Sequence, residues 1–295
     1  MSRNRRLREL LARPGLLIAP GVHDGLGARI VQEAGFDAVY ISGFCIEASF
    51  GLPDMGMLTM TEVVDRAAAV ADAVDLPVIC DADTGYGNAV NVIRTVQMFE
   101  RAGISGVHIE DQVLPKKCGA FPNRTLVSKE EMIGKVHAAV DARRDPDFVL
   151  IARTDAVASP GGMAETIDRS LAYIEAGADL VLVQIPRTLE EIRQTCEGIP
   201  GKAVLTISEN QVAPVLPFAE YEKMGLKLGL LPLSLTFCAI TAMRRAARSI
   251  KAEGSILSVM GGNDKWDSIL ELVQLQRVLG WSEKYATAGA PPRDR

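Results

Sequence analysis

Eight short apolar runs recur along the chain, and helical patterns separate most of them. Segments 61–73, 88–102, 128–142 and 164–176 carry apolar residues at the three- and four-residue spacing of a helix. Ala-Gly pairs, as at 34–35, 102–103 and 176–177, are typical of a helix end that turns into the next strand. The pattern predicts alternating helices and strands, with strands at 16–19, 38–41, 77–80, 106–109, 148–152, 180–185, 203–207 and 227–231.

The strand candidates are apolar on both faces, as in parallel sheets that helices cover. Eight such alternations favour a closed (β/α)8 TIM barrel of the α/β class. An open doubly wound sheet is the alternative, but no Gly-x-Gly-x-x-Gly follows the first run. We expect a catalytic barrel at 1–253, a helical extension at 254–285 and a disordered tail at 286–295, with helices at 235–252 and 265–279.

Composition narrows the classes of function. The formal charge of −5 and the low pI argue against a nucleic-acid partner and favour small-molecule chemistry. No run approaches the roughly 20 apolar residues of a membrane helix, and segment 1–13 lacks the core of a secretory signal. Five scattered cysteines predict reduced thiols in a cytoplasmic protein, with Cys80 and Cys238 as small buried apolar residues.

Acidic residues follow the third and fourth strand candidates, where a barrel places its active site. Asp81 and Asp83 are two apart, so they share a face if the strand continues through them, and Glu110 ends the neighbouring strand. Three hard oxygen ligands favour Mg²⁺ or Mn²⁺ over zinc. The alternative is that the acidic pair only caps the next helix.

Other strand ends carry groups that suit an anionic ligand. Ser42 and Gly43 offer a hydroxyl and backbone N–H groups, although an ordinary turn also explains them. Arg153 ends an apolar strand and requires an anion, for which we favour a substrate carboxylate over Asp155. His108 is either a hydrogen-bonded core residue or a ligand-binding group beside the acidic site.

The segment after the fourth strand carries Cys118 directly behind Lys116 and Lys117. Positive charge lowers a thiol pKa from its usual value of roughly 8.5, so Cys118 could act as an acid or as a nucleophile. The lysines could be only a solvated charge run, but their place on a long loop beside a thiol favours a mobile gate that carries an acid.

Taken together, these motifs resemble the isocitrate lyase/phosphoenolpyruvate mutase superfamily. The resemblance covers about residues 15–250 and is greatest to 2-methylisocitrate lyases. Its motifs are Tyr40-Ile-Ser-Gly43, Gly51-Leu-Pro-Asp54, Asp81-Ala-Asp-Thr-Gly-Tyr-Gly87, His108-Ile-Glu-Asp-Gln112, Lys116-Lys-Cys-Gly119 and Ile151-Ala-Arg-Thr-Asp155.

The resemblance implies a homotetramer whose barrels exchange their last helix, and Mg²⁺, with Mn²⁺ as a substitute, held by Asp83 directly and by Asp81 and Glu110 largely through water. It implies cleavage of a 2-hydroxy di- or tricarboxylate into pyruvate or glyoxylate and a second carboxylate. Catalysis would fall to Cys118 as proton donor, Arg153, Tyr40 as a candidate base, and Asp54. The substrate contacts would be Ser42, Gly43, Phe44, His108, Lys117, Gly119, Gln184 and Thr206.

Three departures from the lyase pattern concern the substrate. Ala120 stands where the lyases carry histidine, Phe44 where they carry a small residue, and Gln184 where the methylisocitrate enzyme carries glutamate. These changes predict a substrate other than methylisocitrate. The alternatives are oxaloacetate decarboxylation or hydrolysis, phosphonopyruvate-type phosphorus–carbon chemistry, or a catalytically inactive ligand-sensing protein.

Overall fold

Eight parallel strands close into a barrel in chain order, with β1 paired to both β2 and β8. The computed structural model describes residues 1–262 and 264–286. The predicted (β/α)8 fold is therefore confirmed. The strands are β1 Leu17–Val22, β2 Val39–Ile41, β3 Val78–Asp81, β4 Gly106–Glu110, β5 Val149–Thr154, β6 Leu180–Val183, β7 Ala203–Thr206 and β8 Leu228–Leu231.

Helices connect the strands and begin at side-chain caps that the sequence supplies. Thr59 and Glu62 form a capping box at the start of the second helix after β2, and Ser128 accepts from the Glu131 N–H after β4. The helices are α1 Arg3–Ala12, α2 Gly25–Glu33, α3 Gly43–Ser49, α4 Met60–Ala73, α5 Ala89–Arg101, α6 Lys129–Ala142, α7 Gly162–Glu175, α8 Leu189–Gly198, α9 Phe218–Lys223, α10 Ser234–Glu253, α11 Leu257–Met260, α12 Trp266–Leu272 and α13 Leu275–Lys284.

The helix α1 closes the amino-terminal mouth of the barrel. Leu7 and Leu10 are buried against inward-facing strand residues, and Arg8 forms an ion pair with Asp179 at 2.6 Å. The sequence pattern does not predict this helix, since it characterises segment 1–13 only as basic and as lacking a signal-peptide core. With this mouth filled, the open end of the barrel is the carboxyl end of the strands.

Two apolar layers hold the barrel together. Inward residues of the strands pack with α1, and outward residues such as Val78 and Val107 pack under the surrounding helices. Burying each such side chain stabilises the fold by about 1.5–3 kcal/mol. All five cysteines are free, and Cys238, expected to be buried, is exposed on α10.

The chain divides into two compact units, Met1–Ala239 and Ile240–Arg295. In the second unit none of the described residues is buried, and the helix expected at 265–279 is two helices, because Gln274 adopts a left-handed φ of 59°. The domain boundary expected after 253 stays a prediction, and the tail expected at 286–295 lies, apart from Ala286, outside the described residues. No helix in the described ranges is long and apolar enough to cross a membrane.

Candidate active site

A cavity of about 50 Å³ lies at the carboxyl end of the strands. Most residues predicted to bind substrate or to catalyse meet there, although they come from five strand ends and two loops. The predicted residues in its wall are Tyr40, Ser42, Phe44, Asp54, Asp81, Cys118, Gly119, Arg153, Gln184 and Thr206.

Asp54 is held in this wall by a buried carboxylate on α3. Glu47 accepts hydrogen bonds from the backbone N–H groups of Met55 at 2.8 Å and Met57 at 2.9 Å. Since these two residues follow Asp54 directly, the loop that carries Asp54 is fixed to the helix. No pattern in the sequence predicts this role of Glu47.

Lys116, rather than Lys117, reaches the carboxylates of the site. Its Nζ forms ion pairs with Asp54 and, at 2.7 Å, with Asp83. Burial alone would lower the pKa of Lys116, but the two carboxylates raise it well above its usual value, so the amine stays charged. Lys117 points the other way, and its Nζ donates to the Asn123 carbonyl at 3.1 Å.

The acidic pair converges for a different reason from the one the sequence suggested. The strand ends at Asp81, and Asp83 adopts a left-handed φ of 49°. The Asp83 N–H donates to Asp81 Oδ1 at 3.0 Å, and the Asp83 carbonyl accepts from the Glu110 N–H at 2.8 Å. A tight turn, and not a continued strand, therefore brings the three acids together.

Gly43 packs directly against this acidic pair. A Cβ added there would lie 2.8 Å from Asp81 Oδ2 and 3.4 Å from Asp83 Oδ1. The Gly43 N–H donates to Asp81 Oδ2 at 3.2 Å. This N–H, which the sequence suggested for an anionic ligand, is therefore bonded within the protein. The neighbouring Ser42 hydroxyl does not cap α3 and lines the cavity.

Burial shapes the charge of the acids. It raises the pKa of Asp83 to about 6, despite the ion pair with Lys116, and raises the pKa of Glu110 well above its usual value. For Asp81, burial is outweighed by His108 and by the cations Lys116 and Arg153, which bring its pKa to about 2. Carboxylates packed this closely are stabilised by added positive charge.

Arg153 is paired by the protein itself. Its Nε and Nη2 donate to Asp155 at 2.9 Å and 3.2 Å, and its Nη1 lies 2.9 Å from Glu110 Oε2. The sequence favoured a substrate carboxylate as its partner, but the strand places two acids within reach. Arg153 still lines the cavity, where it can face a bound anion.

Tyr40 and His108 form a hydrogen-bonded pair under the cavity. Tyr40 Oη lies 2.9 Å from His108 Nε2. Burial lowers the pKa of His108 to about 4, so the imidazole is neutral at neutral pH and can accept a hydrogen bond from the phenol. The pKa of Tyr40 is raised by burial and by Asp81.

Cys118 lies on a loop that folds over the cavity, here called the gate (residues 112–126). Gln112 closes its base by bonding to both backbone groups of Lys117, and the Cys118 N–H donates to the Asp54 carbonyl at 3.1 Å. Burial, followed by the Asp54 carboxylate, raises the pKa of Cys118 to about 12. The expected lowering by lysines is wrong, because Lys116 is paired with acids and Lys117 turns away.

Sequence reasoning missed several residues of the site. Lys116 and Arg124 lie on the gate. An irregular loop has no periodicity from which the orientation of its side chains could be predicted. The others follow β6, β7 and β8, where the rule that barrel sites lie at strand ends could have found them. They are Ile185, Ser208, Asn210, Pro232 and Leu233.

The carboxyl groups fit a hard divalent ion that keeps most of its water. Among the described residues, no group of three or more His, Cys, Asp and Glu side chains forms a complete metal site. Mg²⁺ often uses only one or two protein carboxylates, and Glu110 Oε1 is buried with no hydrogen-bond partner in the described residues. Negative charge is also in excess, since three cations, Lys116, Arg124 and Arg153, face five acids, Asp54, Asp81, Asp83, Glu110 and Asp155.

This fold and site define a barrel protein whose candidate active site, at the carboxyl end of the strands, is lined by charged side chains. Residues 7–251 match the family model described as phosphoenolpyruvate phosphomutase. The chain belongs to this family, within the phosphoenolpyruvate mutase/isocitrate lyase superfamily, as its motifs predicted.

Named relatives agree. The 2,3-dimethylmalate lyase of Eubacterium barkeri is 43% identical over 96% of this chain and 98% of its own length. The 2-methylisocitrate lyase of Aeropyrum pernix is 36% identical over 84% and 80% of the two chains. The chain is accordingly an enzyme of the carbon–carbon lyase type.

Solved structures show the same barrel. The crystal structure of a 2,3-dimethylmalate lyase has a TM-score of 0.91 and 32% identity, covering 98% of this chain and 97% of that one. The structure of a phosphonopyruvate hydrolase in complex with oxalate and Mg²⁺ has a TM-score of 0.89 and 34% identity, covering 97% and 99%.

Proposed function

We propose that the protein is a Mg²⁺-dependent lyase that cleaves a 2-hydroxy dicarboxylate or tricarboxylate, of the alkylmalate or methylisocitrate kind, into a 2-oxo acid, pyruvate or glyoxylate, and a second carboxylate. One observation carries the proposal: a protonated thiol, Cys118, shares a cavity wall with Arg153 and with Asp81, one of the three acids that suit a divalent ion. The carbanion that this cleavage leaves must take up a proton. An acid that stays protonated at neutral pH can supply it.

The protein's own groups account for the proton movements. The 2-hydroxyl loses its proton to Tyr40 Oη as the phenolic proton passes to His108 Nε2 across 2.9 Å, and the Asp81 carboxylate, 3.5 Å from His108 Nδ1, stabilises the imidazolium that forms. The carbon–oxygen double bond of the 2-oxo acid forms as the C2–C3 bond breaks. The electron pair left on C3 spreads into the adjacent carboxylate and takes the proton of Cys118 Sγ, while Arg153 stabilises the negative charge.

The acidic residues are the proposed ligands of the metal ion. Asp83 would bind Mg²⁺ directly, with Asp81 and Glu110 holding it largely through water. When bound, the ion would supply Lewis-acid stabilisation of negative charge on the substrate oxygens. The excess of carboxyl groups supports this, because a site with net negative charge repels a substrate that carries two carboxylates.

The cavity wall supports an alkyl substituent over a third carboxylate. Gln184 is only 7% exposed and neutral, and Phe44 and Leu233 also line the cavity. Ala120 adds no charge. A neutral wall disfavours a distal carboxylate, which would lose its hydration without gaining a cation. Malates alkylated at C2 or C3 fit this chemistry better than methylisocitrate, in agreement with the relative at 43% identity.

We also infer a homotetramer, built from dimers that exchange their carboxyl-terminal helices. The described residues from 240 to 286 bury none of their side chains, although they include Leu257, Trp266 and Trp281. A second copy of the chain would cover these apolar side chains, because helices gain most of their stability from tertiary packing.

The proposal is tested by coupled assays for pyruvate and glyoxylate release from a panel of alkylated malates and isocitrates. Oxaloacetate and phosphonopyruvate complete the panel. We expect turnover of alkylmalates with Mg²⁺ and its loss in excess chelator. Turnover confined to oxaloacetate or phosphonopyruvate would contradict the lyase assignment.

Binding of the metal is tested separately by calorimetry. Asp83→Asn should abolish the heat of Mg²⁺ binding, whereas Asp24→Asn, an acid at the start of α2 outside the cavity, should leave it unchanged. Unaltered Mg²⁺ affinity in the Asp83 variant would contradict the assigned ligand.

A further inference from the structure

Arg124 is a cation on the gate that follows Cys118 in the chain. Its side chain is 9% exposed, and its Nη1 donates to the carbonyls of Gly119 and, at 2.6 Å, Phe121. The Phe121 N–H in turn donates to the Cys118 carbonyl at 2.8 Å. One guanidinium thus holds the turn that immediately follows the thiol.

The same guanidinium contacts the barrel. Arg124 Nε lies 3.1 Å from Oδ1 of Asp155, whose side chain is fully buried. That same oxygen accepts from Arg153 Nη2 at 3.2 Å, and the second oxygen accepts from Arg153 Nε. Asp155 is therefore shared by a gate residue and by the cavity arginine.

Asp155 is itself rigidly placed. Its N–H donates to Asp111 Oδ1 at 3.0 Å, and Asp111 also accepts from the Tyr173 hydroxyl at 2.9 Å. A fixed acid that serves two arginines makes their positions interdependent, because moving one leaves its charge less compensated in a buried place.

The gate has two ionic attachments, one on each side of Cys118. Lys116 binds Asp54 and Asp83 before the thiol, and Arg124 binds Asp155 after it. Holding a reacting group from both sides restricts its position, and a displacement of about 1 Å can reduce turnover about 100-fold.

We propose that Arg124 is a positioning residue that fastens the closed gate to Asp155 and so aligns Cys118 with Arg153. It does not touch the reacting atoms. The inference rests on the proposed function only for its turnover readout, since closure of the gate over Cys118 can be followed without any substrate.

The test compares Arg124→Gln, Arg124→Lys and Arg193→Gln, an exposed arginine on α8, in a Cys238→Ala background. Iodoacetamide labelling of Cys118, located by peptide mass spectrometry, reports opening of the gate. Loss of the ion pair with Asp155 should accelerate labelling about tenfold or more in Arg124→Gln. The labelling rate of Arg124→Lys should lie between those of the parent and Arg124→Gln. An amine keeps the charge but lacks the planar, forked donors of a guanidinium. The Arg193 variant should match the parent.

The turnover arm uses the same variants. We expect kcat to fall about 100-fold in Arg124→Gln with an unchanged heat of Mg²⁺ binding. Parental labelling in a folded Arg124→Gln protein would overturn the proposal. Faster labelling with parental kcat would overturn the alignment of Cys118 with Arg153. Should the proposed lyase activity itself fail, faster labelling in Arg124→Gln but not in Arg193→Gln would still support the attachment.

Discussion

The thiol of Cys118 differs from a free cysteine in its chemistry. A free thiol is partly ionised near pH 8, and reactive cysteines have lowered pKa values. Here burial and Asp54 raise the pKa to about 12, so Cys118 keeps its proton throughout the neutral range and loses it only as pH approaches that value. This residue is suited to donate a proton and poorly suited to attack an electrophile.

Replacement of Cys118 by serine should therefore abolish most turnover. Because a hydroxyl is a far weaker acid, we expect Cys118→Ser to lower kcat by about 100- to 10,000-fold in the pyruvate and glyoxylate assays. The heat of Mg²⁺ binding should be retained, and Cys238→Ser, at an exposed cysteine, should behave as the parent. If Cys118→Ser stayed near normal activity, another group would have to be the acid.

The gate is an irregular loop whose fit against the barrel depends on a glycine. A Cβ at Gly119 would overlap the amide group of Gln184, so the two segments touch with no space between them. Loops are adaptable, but this one is anchored at Gln112, Lys116 and Arg124, which leaves it little room to move aside.

Gly119→Ala should hold the gate partly open. Overpacking costs about 1–3 kcal/mol, which corresponds to a ratio of closed to open gate lower by about 5- to 150-fold. Labelling of Cys118 in the Cys238→Ala background should accelerate accordingly. Gly134→Ala is the matched control, because a Cβ there would meet no atom within 4 Å.

A second substitution checks the cause. Gln184→Ala removes the amide that the new methyl group would meet, so the double variant should label more slowly than Gly119→Ala alone. Equal labelling of the single and double variants would show that the contact with Gln184 does not limit closure.

At the scale of the whole molecule, the notable feature is that the described residues from 240 onwards are not buried. A stretch that contains three helices after α10 and buries none of its described side chains is explained if a second chain completes its packing. Assembly and the stability of this stretch would then be one property, dependent on protein concentration.

Charged substitutions in this stretch should therefore dissociate the protein. In sedimentation experiments at micromolar concentration, the double variant Leu257→Glu, Trp266→Glu should show a lower mass than the parent protein, for which we propose a tetramer. Val90→Glu alters an exposed apolar residue on α5 and should leave the mass unchanged. A monomeric parent, or an unaffected double variant, would contradict the assembly that we propose.

The sequence by itself determined the barrel and most of the site. Eight apolar runs of the right length predict parallel strands, and polar residues that end them, such as Asp81, Glu110 and Arg153, must meet at one mouth because all carboxyl ends of a barrel point the same way. Because this periodicity is a local property of the chain, it predicts the strands and their polar ends without knowledge of any tertiary contact.

The tertiary structure alone decided which groups touch. In the structure Lys116, and not Lys117, contacts the acids of the site, and Arg153 pairs with Asp155 and Glu110. The pKa of Cys118 is raised, although the neighbouring lysines were expected to lower it. Side-chain direction on an irregular loop and the burial of a charge depend on residues far apart in the chain. No local pattern encodes them, and they set the charge and reach of every group in the cavity.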